Sequence, residues 1–73
     1  VYPNPAGEYV VFDVTGISSS SDLEILDIRG EAVLLKKLSV NEQIDVSNLS
    51  KGVYLYRLNI HGRIYTGKLI IGR

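Results

Sequence analysis

Residues 52–71, GVYLYRLNIHGRIYTGKLII, set two alternating apolar runs on either side of a His-Gly pair. No other stretch restricts the folding of this chain as strongly. A two-residue loop at His61 and Gly62 fixes the register of its flanks; His61 is a less usual partner for the glycine than Asn or Asp, which leaves a longer loop of the same parity open. Ile60 then opposes Arg63, Leu58 opposes Tyr65, Tyr56 opposes Gly67 and Tyr54 opposes Leu69. Opposed residues share a face of a hairpin. Tyr54, Tyr56, Leu58, Ile60, Tyr65, Leu69 and Ile71 therefore form the expected core face. Gly67 opposite Tyr56 leaves room for the ring to lie across bare backbone, a remedy for a glycine within a strand. The other face carries Val53, Leu55, Ile64 and Ile70 beside Arg57, Thr66 and Lys68. That is apolar for a solvated surface, so a cover is expected: the N-terminal segment, another strand or a partner, with cover inside the domain favoured.

The chain ahead of the hairpin reads as further short strands. Tyr2-Pro3-Asn4-Pro5 cannot be helical, since each proline lacks an N–H and biases its predecessor towards extended conformations. Residues 8–15 (EYVVFDVT) have the β-branched and aromatic content of a strand, with Val10, Phe12 and Val14 pointing inward. Residues 16–22 (GISSSSD) read as a mobile loop, because four consecutive serines have no reason to pack. Residues 23–28 (LEILDI) form the next strand, with Leu23 and Ile25 in the core. Leu26 and Ile28 break its alternation, which permits a bulge or cover on both sides. Arg29, Gly30 and Glu31 make a turn with Gly30 at positive φ. Residues 32–38 (AVLLKKL) return as a strand. Their Ala, Leu and Lys content also suits a short helix, but the tight turn favours a second hairpin. Residues 39–43 form a polar loop and Ile44 and Val46 a short strand. Residues 47–51 turn, with one 3₁₀ turn able to tuck Leu49 under the sheet. Six or seven short strands between regular turn signals, with no convincing helix, indicate an all-β antiparallel sandwich.

Length and composition bound the function. Seventy-three residues make one small domain, which buries only ~60% of its unfolded surface. Without cysteine there is no disulfide or thiolate–metal site to staple it, although this does not fix a compartment. Eight basic residues balance eight acidic ones with no basic cluster, so nucleic acid and anionic membrane are poor candidates for partners. No apolar run approaches the ~20 residues of a membrane-spanning helix. The chain opens on VYPNPAG, with neither a start methionine nor a signal peptide, which suggests a piece of a longer protein.

Little in the sequence suggests catalysis. His61 is the lone histidine and sits at a hairpin tip, away from any Ser or Asp arrangement that would make a triad. Asp13, Asp27 and Asp45 are scattered, and such acids are ordinarily solvated or guard strand edges. No stretch has calcium-loop spacing, and the seven glycines are spread among turns and not gathered in a phosphate loop. No catalytic residue, metal or cofactor is assigned. Tyrosines on a sandwich can also form a sugar-binding platform. Tyr54, Tyr56 and Tyr65 fall on the core face, so a tyrosine core is the plainer reading, while Tyr2 or Tyr9 can pack near the prolines as a lid.

The ordered motifs match a known family. Tyr2-Pro3-Asn4-Pro5-Ala6 opens the chain, and Asp27-Ile28-Arg29-Gly30 supplies a D-x-x-G turn. The block running Ile44, Asp45, Val46, Ser47, Asn48, Leu49, Ser50, Lys51, Gly52, Val53, Tyr54 follows, and Lys68-Leu69-Ile70-Ile71 closes. With these motifs in order over essentially its whole length, the chain resembles the C-terminal sorting domain, type A, of the type IX secretion system of Bacteroidota. It departs only in running on through Gly72 and Arg73, where many members stop sooner.

The resemblance implies an immunoglobulin-like sandwich at the end of a longer secreted protein, and a substrate of the machinery and not an enzyme. The implied partners are an upstream cargo domain, the outer-membrane translocon and a sortase-like cysteine peptidase that removes the domain. The cargo passes through the periplasm and ends anchored to lipopolysaccharide or released. Lys68, Leu69, Ile70 and Ile71, with Pro3, Asn4 and Pro5, are the expected recognition residues. Gly30, Leu49, Gly52 and Tyr54 are expected to serve the fold. A homodimer through the apolar face stays open. The competing reading is a carbohydrate-binding or adhesive module with an exposed aromatic platform.

Overall fold

A computed structural model describes residues 7–12, 21–39 and 42–72. Every element in them is a strand: β1 (Tyr9–Val11), β2 (Ser21–Leu26), β3 (Ala32–Leu38), β4 (Gln43–Asp45), β5 (Gly52–Ile60) and β6 (Arg63–Ile71). The closing hairpin has the expected register without a shift, from Ile60↔Arg63 through Tyr56↔Gly67 to Gly52↔Ile71. Positive φ at both loop residues, 52° at His61 and 84° at Gly62, gives the primed turn that suits strand twist. Asn59, one residue before the strand ends, steadies the loop through its Oδ1, which accepts from the Gly62 N–H at 2.9 Å.

The strands form two antiparallel sheets, ordered β3-β2-β5-β6 and β1-β4, and the fold is the expected two-sheet sandwich. The large sheet contributes Leu23, Ile25, Leu38, Tyr54, Leu58, Ile60, Leu69 and Ile71 to the core, and the small sheet side adds Val10, Phe12, Ile44 and Val46. Tyr56 and Tyr65 pack half-buried against this cluster. The Phe12 ring meets Tyr56 edge-on, with centroids 4.9 Å apart and planes at 73°. A tyrosine-lined core is therefore what the hairpin face makes.

The structure departs from the sequence reading in several places. β2 starts at Ser21, which is fully buried opposite Leu38, so the last serine of the run packs and Asp22 belongs to the strand and not to a loop. Ser18, Ser19 and Ser20 lie outside the described residues. β2 also ends earlier than expected, at a bulge between Ile25 and Leu26, and Ile28 is exposed in the turn. The extra residue of the bulge is Val33 on β3, so Leu26 keeps its alternating place on the outer face, opposite Leu55. β1 spans only three residues; Val11, expected outward, is buried, and residues 13–15 lie outside the described residues. The helical alternative for residues 32–38 fails because β3 pairs with β2 along its length. Gln43, expected in a loop, begins β4.

The described strands do not supply the expected cover over the outer face of the hairpin: Val53, Leu55 and Ile64 are 45%, 49% and 50% exposed. Of the four apolar residues expected on that face, only Ile70 is half-buried. The segment Tyr2-Pro3-Asn4-Pro5, to which part of the cover was assigned, lies outside the described residues.

Candidate recognition site

The D-x-x-G turn and the block from Ile44 to Tyr54 each have a mechanical role in the fold. In the D-x-x-G turn the Asp27 carboxylate oxygen Oδ1 accepts from the backbone N–H of Arg29 at 2.9 Å and of Glu31 at 3.0 Å. The Gly30 N–H donates to the Asp27 carbonyl at 3.0 Å, and the Asp27 N–H to the Glu31 carbonyl at 2.9 Å. Gly30 has φ 85°, which a residue with a Cβ adopts only under strain. The Arg29 guanidinium closes the turn by donating to Asp27 Oδ2 at 3.1 Å. Those donors hold the Asp27 carboxyl below the usual carboxylate range, the Glu31 amide contributing most and Arg29 next, against the opposing effect of desolvation.

The block from Ile44 to Tyr54 is the corner where the chain leaves the small sheet for the large one. Ile44 and Val46 are buried, and the Val46 N–H donates to the Glu8 carbonyl at 2.9 Å. Between them Asp45 turns outward, and its Oδ1 accepts from the Ser47 N–H at 2.8 Å and from Ser47 Oγ at 2.6 Å. One i→i+3 bond, from the Leu49 N–H to the Val46 carbonyl at 3.0 Å, brings Leu49 half-buried against the core. This is the single tight turn expected there. Gly52 re-enters the sheet at φ 151°. Tyr54, now on the core face, donates its hydroxyl back to the Ser50 carbonyl at 2.7 Å. A tyrosine near a strand start that bonds backbone a few residues upstream is the corner device of immunoglobulin-type sandwiches. Gly30, Leu49, Gly52 and Tyr54 are thus turn and corner residues, each with a stated contact or angle.

The four residues at the end of β6 do not form one surface. Leu69 and Ile71 are fully buried in the core, whereas Lys68 is exposed and Ile70 half-buried on the other face. Strand alternation separates the two pairs. On the outer face Lys68 lies opposite Leu55, which lies opposite Leu26, and Ile70 lies opposite Val53. The adjoining rows carry charge: Arg57 Nη1 reaches Glu24 Oε1 at 3.3 Å, and Lys37 Nζ reaches Asp22 Oδ1 at 2.8 Å. Pro3, Asn4 and Pro5 lie outside the described residues.

The sequence reading missed two turn-stabilising side chains, Asn59 and Glu42. Glu42 Oε1 accepts from the Ser39 N–H at 3.0 Å, and its Oε2 pairs with Lys36 Nζ at 2.8 Å. Lys36, together with the Ser39 N–H, holds the Glu42 carboxyl below its ordinary range. A polar side chain beside a strand end, three residues from the backbone N–H it accepts from, was the available signal for each. His61 is exposed at the hairpin tip, and among the described residues no cluster of His, Cys, Asp and Glu could hold a metal ion. Tyr9, 41% exposed, is the one tyrosine on an open surface among the described residues.

These features define a small β-sandwich whose motif residues make turns and a corner, leaving a half-apolar sheet face exposed. The chain matches the family described as the secretion system C-terminal sorting domain over residues 1–72, and it belongs to that family. It is a type IX sorting domain, the signal by which the protein bearing it is exported to the cell surface or medium. Such domains act with the type IX machinery and a cargo region N-terminal to them, and the family is in general non-catalytic. A search of curated proteins returned no match.

Proposed function

We propose that this domain carries the protein joined ahead of Val1 through the periplasm and across the outer membrane. The translocon recognises its folded outer surface. A sortase-like cysteine peptidase then removes the domain, leaving the cargo anchored to lipopolysaccharide or released. The observation that supports a surface reading is the division of labour within β6. Leu69 and Ile71 serve the core, so of the four residues 68–71 a partner can reach only the Lys68 and Ile70 side chains without unfolding the strand. Pro3, Asn4 and Pro5 are proposed as the second part of the signal.

The test fuses residues 1–73 behind a signal peptide and a fluorescent protein in a type IX-competent host. Fluorescence should reach the surface or medium and stay in the periplasm in a translocon mutant. Lys68→Glu and Ile70→Asp, both retaining the far-ultraviolet spectrum of a folded sheet, should block export. Normal export of both folded variants would remove β6 from the recognised surface.

A further inference from the structure

The outer face of the small sheet borders a cavity that neither the turns nor the corner use. Its volume is about 520 Å³, within the ~300–1,000 Å³ of small-ligand clefts. The described residues that line it are Glu8, Tyr9, Gln43, Asp45 and Ser47. Pairing of β1 with β4 sets Tyr9 opposite Asp45 and Val11 opposite Gln43, so these four share a face. Of the four, Val11 alone is buried, and Tyr9 is 41% exposed. The Asp45 carboxylate is engaged by the Ser47 N–H and hydroxyl. The Tyr9 hydroxyl, the Glu8 carboxylate and the Gln43 amide, by contrast, make no hydrogen bond or ion pair with any described residue. Strand pairing needs none of these three polar groups.

We infer that this cavity binds a neutral sugar, with a pyranose ring laid against Tyr9. The inference goes beyond the sorting reading and does not depend on it. A pyranose has a face of C–H groups and a rim of hydroxyls. The Tyr9 ring covers the C–H face and removes it from water. The Glu8 carboxylate accepts hydrogen bonds, and the Gln43 amide both donates and accepts, so the pair suits hydroxyls, which do both. Other ligand classes use less of this set. An apolar ligand would bury the carboxylate and the amide without partners. A cationic group would meet Glu8 but accept nothing from the Gln43 amide N–H groups. An anionic sugar would meet two carboxylates and, among the described lining residues, no cation.

The experiment titrates the isotope-labelled 73-residue chain with mannotriose, galactotriose and chitotriose, with trigalacturonate as the anionic sugar and acetyl-lysine-amide as the cation. At least one neutral trisaccharide should move the backbone amide signals of Tyr9 and Gln43 saturably. Its binding should be about tenfold weaker in Tyr9→Ala, which loses the ring, and in Gln43→Ala, which loses the amide. Should Tyr9→Ala not fold, Tyr9→Leu replaces it, keeping an apolar side chain in β1 without a ring. The absence of a saturable shift with all three neutral sugars, shifts centred away from β1 and β4, or undiminished binding by the folded Tyr9 variant overturns the inference. Trigalacturonate or acetyl-lysine-amide binding as tightly as the best neutral sugar also overturns it. The titration involves no secretion machinery, so its failure sinks this inference alone. A wild-type fluorescent fusion that is not exported sinks the sorting reading alone.

Discussion

The ring of Tyr56 covers the bare Cα of Gly67, its directly opposed residue on the neighbouring strand. A Cβ added at Gly67 would lie 2.5 Å from the Tyr56 hydroxyl oxygen and 2.6 Å from Cε2 and Cζ of its ring. No atom tolerates that approach, and Phe12, edge-on at 4.9 Å, braces the ring from retreating inward. Gly67 is thus required for packing across the sheet and not for an unusual φ. Gly67→Ala should destabilise the domain by about 1–3 kcal/mol through overpacking. For a domain of this size each kcal/mol lowers Tm by roughly 4–8 °C. The check is a thermal-unfolding cycle with Tyr56→Ala: the Gly67→Ala penalty should largely vanish once the ring is gone. Additive penalties would show that the ring is not the obstacle.

The turn after β2 should respond to acid. The folded-state pKa of Asp27 is depressed, chiefly by the Glu31 amide and further by Arg29. A depressed carboxyl adds stability that is complete above its unfolded pKa, and the contribution fades as pH falls through the folded value. The turn should therefore stay closed through neutral pH and loosen only below about pH 4. Amide hydrogen exchange at Arg29 and Glu31 should accelerate there first. In Asp27→Ala the same amides should exchange quickly at every pH, and the acid-dependent step should disappear. A step that survives in Asp27→Ala would place the titrating group elsewhere, Glu42 being the next candidate.

At the corner, Tyr54→Phe removes the bond from the tyrosine hydroxyl to the Ser50 carbonyl while keeping the ring in the core. The loss should be about 0.5–1.5 kcal/mol. Gly52→Ala forces a Cβ into φ 151° with open space around it, so its penalty is conformational and not steric. Urea denaturation should show both variants with lowered midpoints and unchanged slopes. A fall in slope for Tyr54→Phe would mean that the corner is already open in the native state.

How much of this was legible in the sequence depended on how local the cause was. The hairpin register followed from one loop and strict alternation, and the Tyr56–Gly67 contact followed from the register. The D-x-x-G turn was legible because a glycine at positive φ and an Asp two residues before the N–H that donates to it act within five residues. The start of β2 was not, since Ser21 is buried by its cross-strand partner Leu38, seventeen residues later, and not by its own chemistry. Val11 was misread for a related reason: alternation assumes one wet face, and in β1 both Val10 and Val11 are buried. The outer face failed in the other direction. An apolar row such as Leu26, Leu55 and Val53 predicts a cover but does not say whether the cover belongs to the same chain. The expected recognition residues were chosen as a contiguous run, whereas a strand divides any run between two faces, as the hairpin register already did in putting Leu69 and Ile71 on the core face and Lys68 and Ile70 on the other.

That division changes what a truncation can test. Removing residues 68–73 deletes Leu69 and Ile71, both fully buried against Leu58 and Tyr54 in the same core. Leu69→Ala alone should cost about 2–5 kcal/mol. A 73-residue domain without a disulfide has a total stability of only a few kcal/mol, so the truncated chain should be largely unfolded. It will then fail to be exported whatever the machinery reads. The informative comparison sets Leu69→Ala against Lys68→Glu in the same fusion. Leu69→Ala should lose the cooperative unfolding transition and be degraded in the periplasm. Lys68→Glu should keep that transition within a few degrees of the wild type and accumulate there intact. If instead Leu69→Ala, shown to be unfolded, is exported as efficiently as the wild type, the signal lies in an extended sequence and not in a folded surface.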